Sequence, residues 1–397
     1  MNTKRAPKVR FKGFTDAWEQ RKLGEITNSY SGGTPSVGID EYYDGKIPFI
    51  RSGEINSEST EFFLTETGLN NSSAKMVNVG DILYALYGAT SGEVGVSRIC
   101  GAINQAILAI IPDNGYDTYF IMQWLRREKQ NIVSTYLQGG QGNLSGTIVK
   151  DLTIDFPNTY IEQEKIGGFF RNLDNLITLH QRKLDKMKDL KKAFLNLIFS
   201  QKLRFYGFTD SWELRNLDDE VRFYNGLTYT PSDIVENDGT LVLRSSNVQN
   251  GEIVTDDNVY VRSEVVSSEN VQVGDITVVV RNGSKALIGK HAKIRENMYS
   301  TVIGAFMTGI RSEHSSFINA LLSTQSFDSE IKKNMGATIN QITGGMFKRM
   351  KFFFPENAEQ EIIGQCFDSI DNLITLRQNK IDSLKEVKKI LLRNMLI

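Results

Sequence analysis

Polar side chains that could contact nucleic acid recur in paired loops, one loop of each pair in either half of the chain. Arginine can donate two hydrogen bonds to guanine, asparagine or glutamine can pair with adenine, and hydroxyl and ammonium groups can bind phosphates. The same residue types also build ordinary turns, so each loop taken alone is better explained as a connection. The candidate DNA-contacting residues are Arg51, Ser52, Tyr87, Thr90, Ser91 and Asn143 in the first half, and Arg244, Asn247, Arg281, Asn282, Ser284, Lys285 and Asn340 in the second.

No catalytic motif accompanies these loops. The sequence contains neither the Phe-x-Gly-x-Gly and Asn/Asp-Pro-Pro-aromatic pair of adenine methyltransferases nor a Gly-x-Gly-x-x-Gly segment. The stretch from Gly283 to His291 is a poor phosphate-binding loop, because it has one residue too many between its glycines and His where Ser or Thr should bind magnesium. Cys100, Cys366 and three isolated histidines match no metal or redox spacing. We therefore expect a recognition or assembly protein without a cofactor or metal of its own.

The chain contains two copies of one unit. The segment Arg10 to Glu19, Arg-Phe-Lys-Gly-Phe-Thr-Asp-Ala-Trp-Glu, returns with few changes at Arg204 to Glu213. A longer segment, Glu162 to Leu179, returns at Glu359 to Leu376. The repeat far exceeds a solenoid module of ~20–50 residues, so each copy should be a domain with its own core.

Composition limits the possible classes of protein. A chain of 397 residues with 40% hydrophobic residues can build two or more cores. It has no run of ~18 apolar residues and no apolar run at its start, so we expect a cytoplasmic protein that does not contact membranes. A net charge of −1 permits DNA binding only through local patches or with help from partners.

Each copy ends with heptad repeats, in which apolar residues recur every seven positions in two parallel rows. The rows end at Phe194 and Ile198 in the first copy and at Leu391 and Met395 in the second. Polar residues interrupt both rows at equivalent places, His180 matching Arg377 and Lys191 matching Lys388. We expect two long helices that pair with each other, with polar residues that fix the register at a cost in stability. The alternative is two amphipathic helices, each packed on its own domain. The residues predicted to pair are Phe170, Leu173, Ile177, Leu184 and Met187 in the first helix, and Phe367, Ile370, Ile374, Ile381 and Leu384 in the second.

Short strands dominate the remaining segments. A Gly-Asp turn leads into a run of β-formers at Val79 to Gly88 and again at Val273 to Asn282. The sequence thus predicts an α+β protein with two β-rich mixed domains in tandem, each followed by a long helix. The two helices are expected to form an antiparallel coiled coil with pseudo-two-fold symmetry. The expected boundaries are 1–160 and 201–356 for the domains, and 161–200 and 357–397 for the helices.

This duplicated plan resembles the DNA specificity subunit of type I restriction-modification enzymes, in the form found in Gram-positive members. The resemblance covers essentially the whole chain. Its most specific parts are the Gly-Phe-Thr-Asp-x-Trp-Glu segments at Gly13 and Gly207, and the Glu-Gln-x-x-Ile-Gly segments at Glu162 and Glu359 that lead into Asp-Asn-Leu-Ile-Thr-Leu. It implies a non-catalytic subunit with two target recognition domains, each of which reads one half of a split, asymmetric site in double-stranded DNA. The helices would set the unread gap and dock two modification subunits.

The resemblance also implies which cofactors belong to the partners. Modification subunits would bring S-adenosylmethionine and methylate adenine, and restriction subunits would bring ATP, magnesium and cleavage. Two other interpretations remain open. A self-contained methyltransferase with a fused specificity region would bind the methyl donor as an isolated chain. A duplicated scaffold would ignore DNA both alone and with partners, whereas a DNA-binding protein would show salt-dependent affinity.

Overall fold

The structure, a computed structural model, describes residues 5–137, 143–335 and 340–397. The chain packs as two compact units, Met1–Gln181 with Asn379–Ile397, and Arg182–Gln378. Each unit contains one mixed domain and half of each long helix. The predicted α+β class with two tandem mixed domains is confirmed.

The domain of the first unit contains two four-stranded sheets, with strand orders β2-β9-β6-β7 and β4-β3-β8-β5, and the two-stranded sheet β1-β10. All pairs are antiparallel except β3 with β8. The strands are β1 (Glu19–Lys22), β2 (Thr27–Ser31), β3 (Tyr43–Ile50), β4 (Phe63–Leu64), β5 (Lys75–Val77), β6 (Ile82–Ala85), β7 (Val94–Val96), β8 (Gly101–Ile103), β9 (Ile107–Pro112) and β10 (Thr153–Phe156). The helices are α1 (Leu23–Ile26), α2 (Glu66–Asn70), α3 (Thr118–Tyr136), α4 (Gly146–Asp151) and the long α5 (Tyr160–Phe199).

The domain of the second unit repeats this plan with the sheets β12-β21-β18-β19 and β13-β17-β14-β20, joined by the short pairs β11-β22 and β15-β16. Its parallel strand pair, β14 with β20, matches β3 with β8. The strands are β11 (Glu213–Asn216), β12 (Arg222–Asn225), β13 (Ile234–Val235), β14 (Thr240–Leu243), β15 (Val248–Gln249), β16 (Glu252–Ile253), β17 (Val259–Val261), β18 (Ile276–Val279), β19 (His291–Lys293), β20 (Thr301–Ile303), β21 (Met307–Arg311) and β22 (Lys351–Phe354). The helices are α6 (Ser315–Leu322), α7 (Gln325–Asn334), α8 (Gly344–Lys348) and the long α9 (Asn357–Met395).

The repeated Gly-Asp turns explain why β6 and β18 begin where they do. Gly80 and Gly274 have φ values of 103° and 93°, a left-handed conformation that glycine adopts without steric cost. The next residue closes the turn, since the Asp81 carboxylate accepts from the Asn78 N–H at 2.8 Å and Asp275 accepts from the Gln272 N–H at 2.9 Å. Both turns start a fully buried central strand that runs to the polar loops.

The two repeated sequence segments of each copy meet in space. The guanidinium of Arg10 donates to both carboxylate oxygens of Glu162 at 2.5 and 2.7 Å, and Arg204 does the same to Glu359 at 3.0 and 2.6 Å. Both glutamates are almost fully buried. Each pair therefore fastens the start of a domain to the first turn of the helix that follows it.

The long helices pack against each other within each unit. In the first unit, Phe170 of α5 shares a buried cluster with Leu392 of α9. In the second unit, Ile198 of α5 shares a cluster with Phe367 of α9. The first half of α5 thus meets the second half of α9, and the reverse holds in the other unit, as predicted for an antiparallel pair.

The predicted pairing residues differ in burial. Phe170, Leu184, Phe367 and Ile381 are buried, whereas the other six are partly exposed: Leu173, Ile177, Met187, Ile370, Ile374 and Leu384. The heptad prediction is wrong at Phe194, which is 39% exposed beside the buried Leu195. A helix with 3.6 residues per turn drifts out of a seven-residue repeat, so the buried row moves by one position near the helix end.

The lysines predicted to interrupt the seam are ion-paired. Lys388 lies 2.6 Å from Asp174, and its repeat counterpart Lys191 lies 2.5 Å from Asp371. Both aspartates begin the repeated Asp-Asn-Leu-Ile-Thr-Leu segment. Each unit therefore contains one equivalent polar link between the helices.

Candidate nucleic-acid interface

A cleft of about 1120 Å³ opens among the loops of the second domain. Its walls come from the segments that follow β12, β14, β18 and β20 and from the segment before α8. Four of the residues predicted to contact DNA line this cleft: Arg244, Arg281, Asn282 and Asn340. The fold has thus brought together side chains that lie far apart in the sequence.

Two asparagines tie the walls of the cleft to one another. The Asn282 amide donates to the Ser245 hydroxyl at 3.0 Å, and the Asn340 amide donates to the Gly283 carbonyl at 2.8 Å. The Asn282 N–H also donates to the Asn340 carbonyl at 3.3 Å. These side chains hold the loops together and leave only part of their polar surface for a ligand.

Arg244 and Asn247 form a turn that supports one wall. The Arg244 N–H donates to the Asn247 side-chain oxygen at 2.9 Å, while the Asn247 amide donates to the Val254 carbonyl at 3.0 Å. Asn247 is fully buried, so it stabilises the turn and has no surface to offer to DNA in this structure. The Arg244 guanidinium is engaged too, since it donates to the Asp257 carboxylate at 2.7 Å.

Arg281 differs from Arg244 in that its charged group is exposed and free. Its guanidinium lies 5.0 Å from the centre of the Phe306 ring, within the range of a cation–π contact. Its backbone pairs on both sides, with an N–H that donates to the Phe306 carbonyl at 3.2 Å and a bridge to Gln341. Among the described residues, no side chain or carbonyl accepts a hydrogen bond from its guanidinium.

Ser284 and Lys285 lie beyond the cleft. Both are exposed, and Ser284 precedes a short 3₁₀ turn that starts at Lys285. The Ser284 N–H donates to the Asn282 side-chain oxygen at 2.9 Å. Their side chains therefore extend from the rim and do not line the interior.

The first domain brings two of its predicted residues together at the equivalent place. Tyr87 and Asn143 form an isolated β-bridge, as Arg281 and Gln341 do in the second domain. Thr90 and Ser91 belong to the turn next to them. The Thr90 hydroxyl donates to the Tyr87 carbonyl at 3.3 Å, and the buried Ser91 hydroxyl donates to the Leu86 carbonyl at 3.3 Å. Ser91 is therefore part of the framework.

Arg51 and Ser52 occupy the position that Arg244 and Ser245 hold in the second domain. The Arg51 guanidinium donates to Glu54 at 2.9 and 3.2 Å and lies 3.9 Å from the centre of the Phe62 ring. Burial raises the pKa of Glu54, but hydrogen bonds from Arg51 outweigh it and hold that pKa below its usual value. Ser52, in the first position of the turn, is half-buried. The Arg51 guanidinium is therefore already bound to the Glu54 carboxylate in this structure.

Phe306 lines the cleft of the second domain and was not predicted from the sequence. Tyr229 and Gln341 line the same cleft, and in the first domain Thr34 donates to Gln105 at 2.5 Å. The signal that could have revealed Phe306 is an exposed aromatic residue in the turn between two β-runs. Residues 140–142 and 338–339, which precede the candidates Asn143 and Asn340, lie outside the described residues.

Neither a metal centre nor a membrane span is found in the part of the chain that the structure describes. No group of three or more His, Cys, Asp or Glu side chains in this part could hold a metal ion. No helix in it is long and apolar enough to cross a membrane.

These features define a duplicated recognition protein, in which one scaffold carries different polar loops in its two copies. The sequence profile of the type I restriction modification DNA specificity domain matches residues 15–189 and 209–386. The chain therefore belongs to this family, and the resemblance noted from the sequence is confirmed.

Similar proteins agree along the whole chain. The chain is 22% identical over 391 residues to the type I restriction enzyme MjaVIII specificity subunit of Methanocaldococcus jannaschii. This alignment covers 94% of this chain and 90% of that relative. The crystal structure of the type I restriction-modification system S subunit from M. genitalium superposes with a TM-score of 0.71 at 15% identity and covers 99% of both chains. A chain from a structural study of complex assembly and conformational transition of the type I R-M system gives a TM-score of 0.52 at 15% identity, with 96% and 97% covered. At such identities, the structural likeness shows the fold alone.

Proposed function

We propose that this chain is the DNA specificity subunit of a type I restriction-modification complex, and that each mixed domain reads one half of a bipartite, asymmetric target in double-stranded DNA. The main observation in support is the contrast at one scaffold position. The first domain presents Tyr87 beside Asn143, whereas the second presents Arg281 beside Gln341. A repeated scaffold with different base-reading side chains suits two different half-sites.

The proposed recognition domains are 1–160 and 201–356, and the proposed spacer helices are 161–200 and 357–397. We expect these helices to set the unread gap and to dock two modification subunits. Leucines exposed at equivalent positions support two like docking faces, Leu176 with Leu373 and Leu179 with Leu376. Exposed apolar side chains in one row on a helix are typical of a protein interface.

Catalysis is assigned to the partners. Modification subunits would supply S-adenosylmethionine and methylate adenine, and restriction subunits would supply ATP hydrolysis, magnesium and cleavage. This chain would select the sequence. Its net charge of −1 suits the same division, because partner subunits can supply much of the contact with phosphates.

Methylome sequencing tests the proposal directly. A host that carries this chain with a cognate modification subunit is compared with the same host lacking this chain. We expect N6-methyladenine in one split motif. Replacing residues 201–356 by the corresponding domain of another family member should change one half of the motif and leave the other half intact.

The control is the same modification subunit expressed with a different specificity chain of known target, which proves that the methyltransferase is active. No new motif beside an active control would reject the proposal and support the scaffold interpretation. A motif that changes in both halves after exchange of one domain would reject the assignment of one half-site to each domain.

A further inference from the structure

One scaffold position differs most sharply between the two domains. Leu86 and Val280 are equivalent, because each donates its N–H to a carbonyl in the turn between two corresponding strands. The acceptor is Ala106 between β8 and β9 in the first domain, and Phe306 between β20 and β21 in the second. The next residue is Tyr87 in the first domain and Arg281 in the second. We propose that Arg281, positioned by Phe306, reads a guanine in the half-site of the second domain; this inference rests on the proposed function.

The orientation of Arg281 is set before DNA arrives. Its backbone is fixed by the Phe306 carbonyl and by the bridge to Gln341. Its guanidinium lies 5.0 Å from the centre of the exposed Phe306 ring, a cation–π contact that restrains the side chain, and none of its N–H donors is bound by a described residue. Such a restrained side chain loses less conformational freedom when it binds a base than a mobile one would.

The other candidate arginines are already engaged. Arg244 donates to Asp257, and Arg51 donates to Glu54, so each would have to give up a carboxylate before it could bind a base. Arg281 has no such partner among the described residues. Of these three arginines, it is the one whose donors can bind DNA without breaking an ion pair.

The chemistry of the guanidinium selects the base. Guanine presents two acceptors, O6 and N7, at the edge that faces the major groove, and an arginine can bind both at once. Adenine offers N7 beside an amino group, which is itself a donor and cannot accept the second hydrogen bond. Tyr87 has no pair of donors, so the first domain cannot read guanine in this way at the equivalent position.

The first test compares the methylomes of the parent chain and four variants, one of them a control, in the full complex. The parent should show at least one invariant guanine in the half-site of the second domain. Arg281→Ala should make one such position degenerate, and Arg281→Met should do the same because its side chain is long but has no hydrogen-bond donor. Phe306→Ala should weaken the preference for guanine at that position. Arg222→Ala is the matched control, since Arg222 pairs with Glu269 outside the cleft, and it should leave the motif unchanged.

A second test probes the hydrogen bond itself. The duplex carries 7-deazaguanine, which lacks N7 but keeps its Watson–Crick pairing, at the position that becomes degenerate. The parent complex should bind this duplex about tenfold or more weakly than the guanine duplex, in line with the loss of a bidentate contact. The Arg281→Ala complex should bind both duplexes equally.

The outcomes separate the two proposals. If the parent directs methylation to a split motif but Arg281→Ala keeps every position of it, or is as sensitive to 7-deazaguanine as the parent, the assignment of Arg281 is overturned while the proposed function stands. If the parent directs methylation to no motif while the control is active, both the proposed function and the assignment of Arg281 are rejected. If Arg281→Ala abolishes methylation altogether, binding of the two duplexes by the Arg281→Met complex decides. Equal binding supports the assignment, and retained sensitivity to 7-deazaguanine rejects it.

Discussion

The buried glutamates Glu162 and Glu359 show how one repeated residue can have different surroundings in the two copies. Glu359 accepts from Arg204 and also from the Trp212 indole N–H at 3.1 Å. In the first domain, the indole N–H of the equivalent Trp18 has no hydrogen-bond partner among the described residues and does not reach Glu162. Glu162 thus depends more heavily on its arginine.

We expect Arg10→Ala to destabilise the first unit more than Arg204→Ala destabilises the second. Removal of Arg10 leaves a buried carboxylate without its ion pair, a loss on the order of 3–5 kcal/mol. After removal of Arg204, the carboxylate of Glu359 keeps the indole hydrogen bond. Hydrogen exchange in the first turns of α5 and α9 measures each unit separately, with Arg222→Ala as control. Equal loss of protection in both units would contradict this prediction.

Asp174 has a cluster of donors around it in the first unit. It accepts from Tyr119, Gln123 and Arg126 at 2.8 to 3.0 Å and from Lys388 at 2.6 Å. Burial raises the pKa of this carboxyl, but the charges of Lys388 and Arg126 outweigh it and hold the pKa below its usual value. The ionised form is therefore favoured by folding.

The lowered pKa of Asp174 predicts that this carboxyl contributes to unfolding in acid. Because the folded pKa is lowered, the stability that Asp174 contributes is complete above the unfolded pKa of about 3.9 and is lost as the pH falls through the lower folded value. Asp174→Asn should lower stability at pH 7 and reduce the decline below about pH 4. Thermal melting from pH 7 to 2.5 measures this, with the exposed Asp151→Asn as control. A decline as steep as in the parent would count against the prediction.

At the scale of elements, the equivalent lysines of α5 and α9 differ in what their removal leaves behind. Burial and the charge of Arg126 lower the pKa of Lys388 despite its pairing with Asp174, so burying this ammonium is not fully compensated. Without Lys388, Asp174 still has three other donors. Without Lys191, Asp371 keeps only the ion pair with Arg295 at 3.8 Å among the residues that the structure describes.

We therefore expect opposite results from matched substitutions. Lys388→Met should leave the stability of the first unit unchanged or higher, whereas Lys191→Met should destabilise the second unit by roughly 1–3 kcal/mol, because a buried acceptor loses its closest donor. Hydrogen exchange along α5 and α9 gives the two values in one experiment. A larger loss from Lys388→Met than from Lys191→Met would show that the two links are not distinguished by their neighbours.

At the scale of the whole molecule, each long helix contributes one half to each unit. The boundaries lie between Gln181 and Arg182 in α5 and between Gln378 and Asn379 in α9. An insertion at these points leaves the contacts inside each unit intact. This makes the boundary the appropriate place to test whether the helices set the unread gap.

Seven residues inserted at both boundaries should lengthen each helix by about 10.5 Å at ~1.5 Å per residue. If the helices set the gap, the methylated motif should keep both half-sites while the gap grows by about three base pairs, at ~3.4 Å each. Methylome sequencing reports both quantities. A single-helix insertion is the control and should impair methylation, because it disturbs the pairing. An unchanged gap after the double insertion would exclude the helices as its determinant.

Local patterns determined the duplication, the long helices and the family. The Gly-Asp turns could be predicted from the sequence because glycine itself adopts the left-handed conformation found at Gly80 and Gly274 without steric cost. The helices were legible because their apolar period is repeated over many turns. Phe194 was placed wrongly because the heptad pattern fixes only the average period, and the helix end follows the surface on which it packs.

Only the tertiary structure decided which polar residues remain free for a ligand. Arg51, Arg244 and Arg281 cannot be distinguished in the sequence. In the structure, Arg51 and Arg244 are bound to carboxylates, whereas Arg281 lies over the Phe306 ring. Asn247 was as plausible a DNA contact as its neighbours until its burial was seen. The reason is physical: repetition along the chain sets the scaffold, whereas a hydrogen bond depends on which partner the fold brings within about 3 Å of a donor.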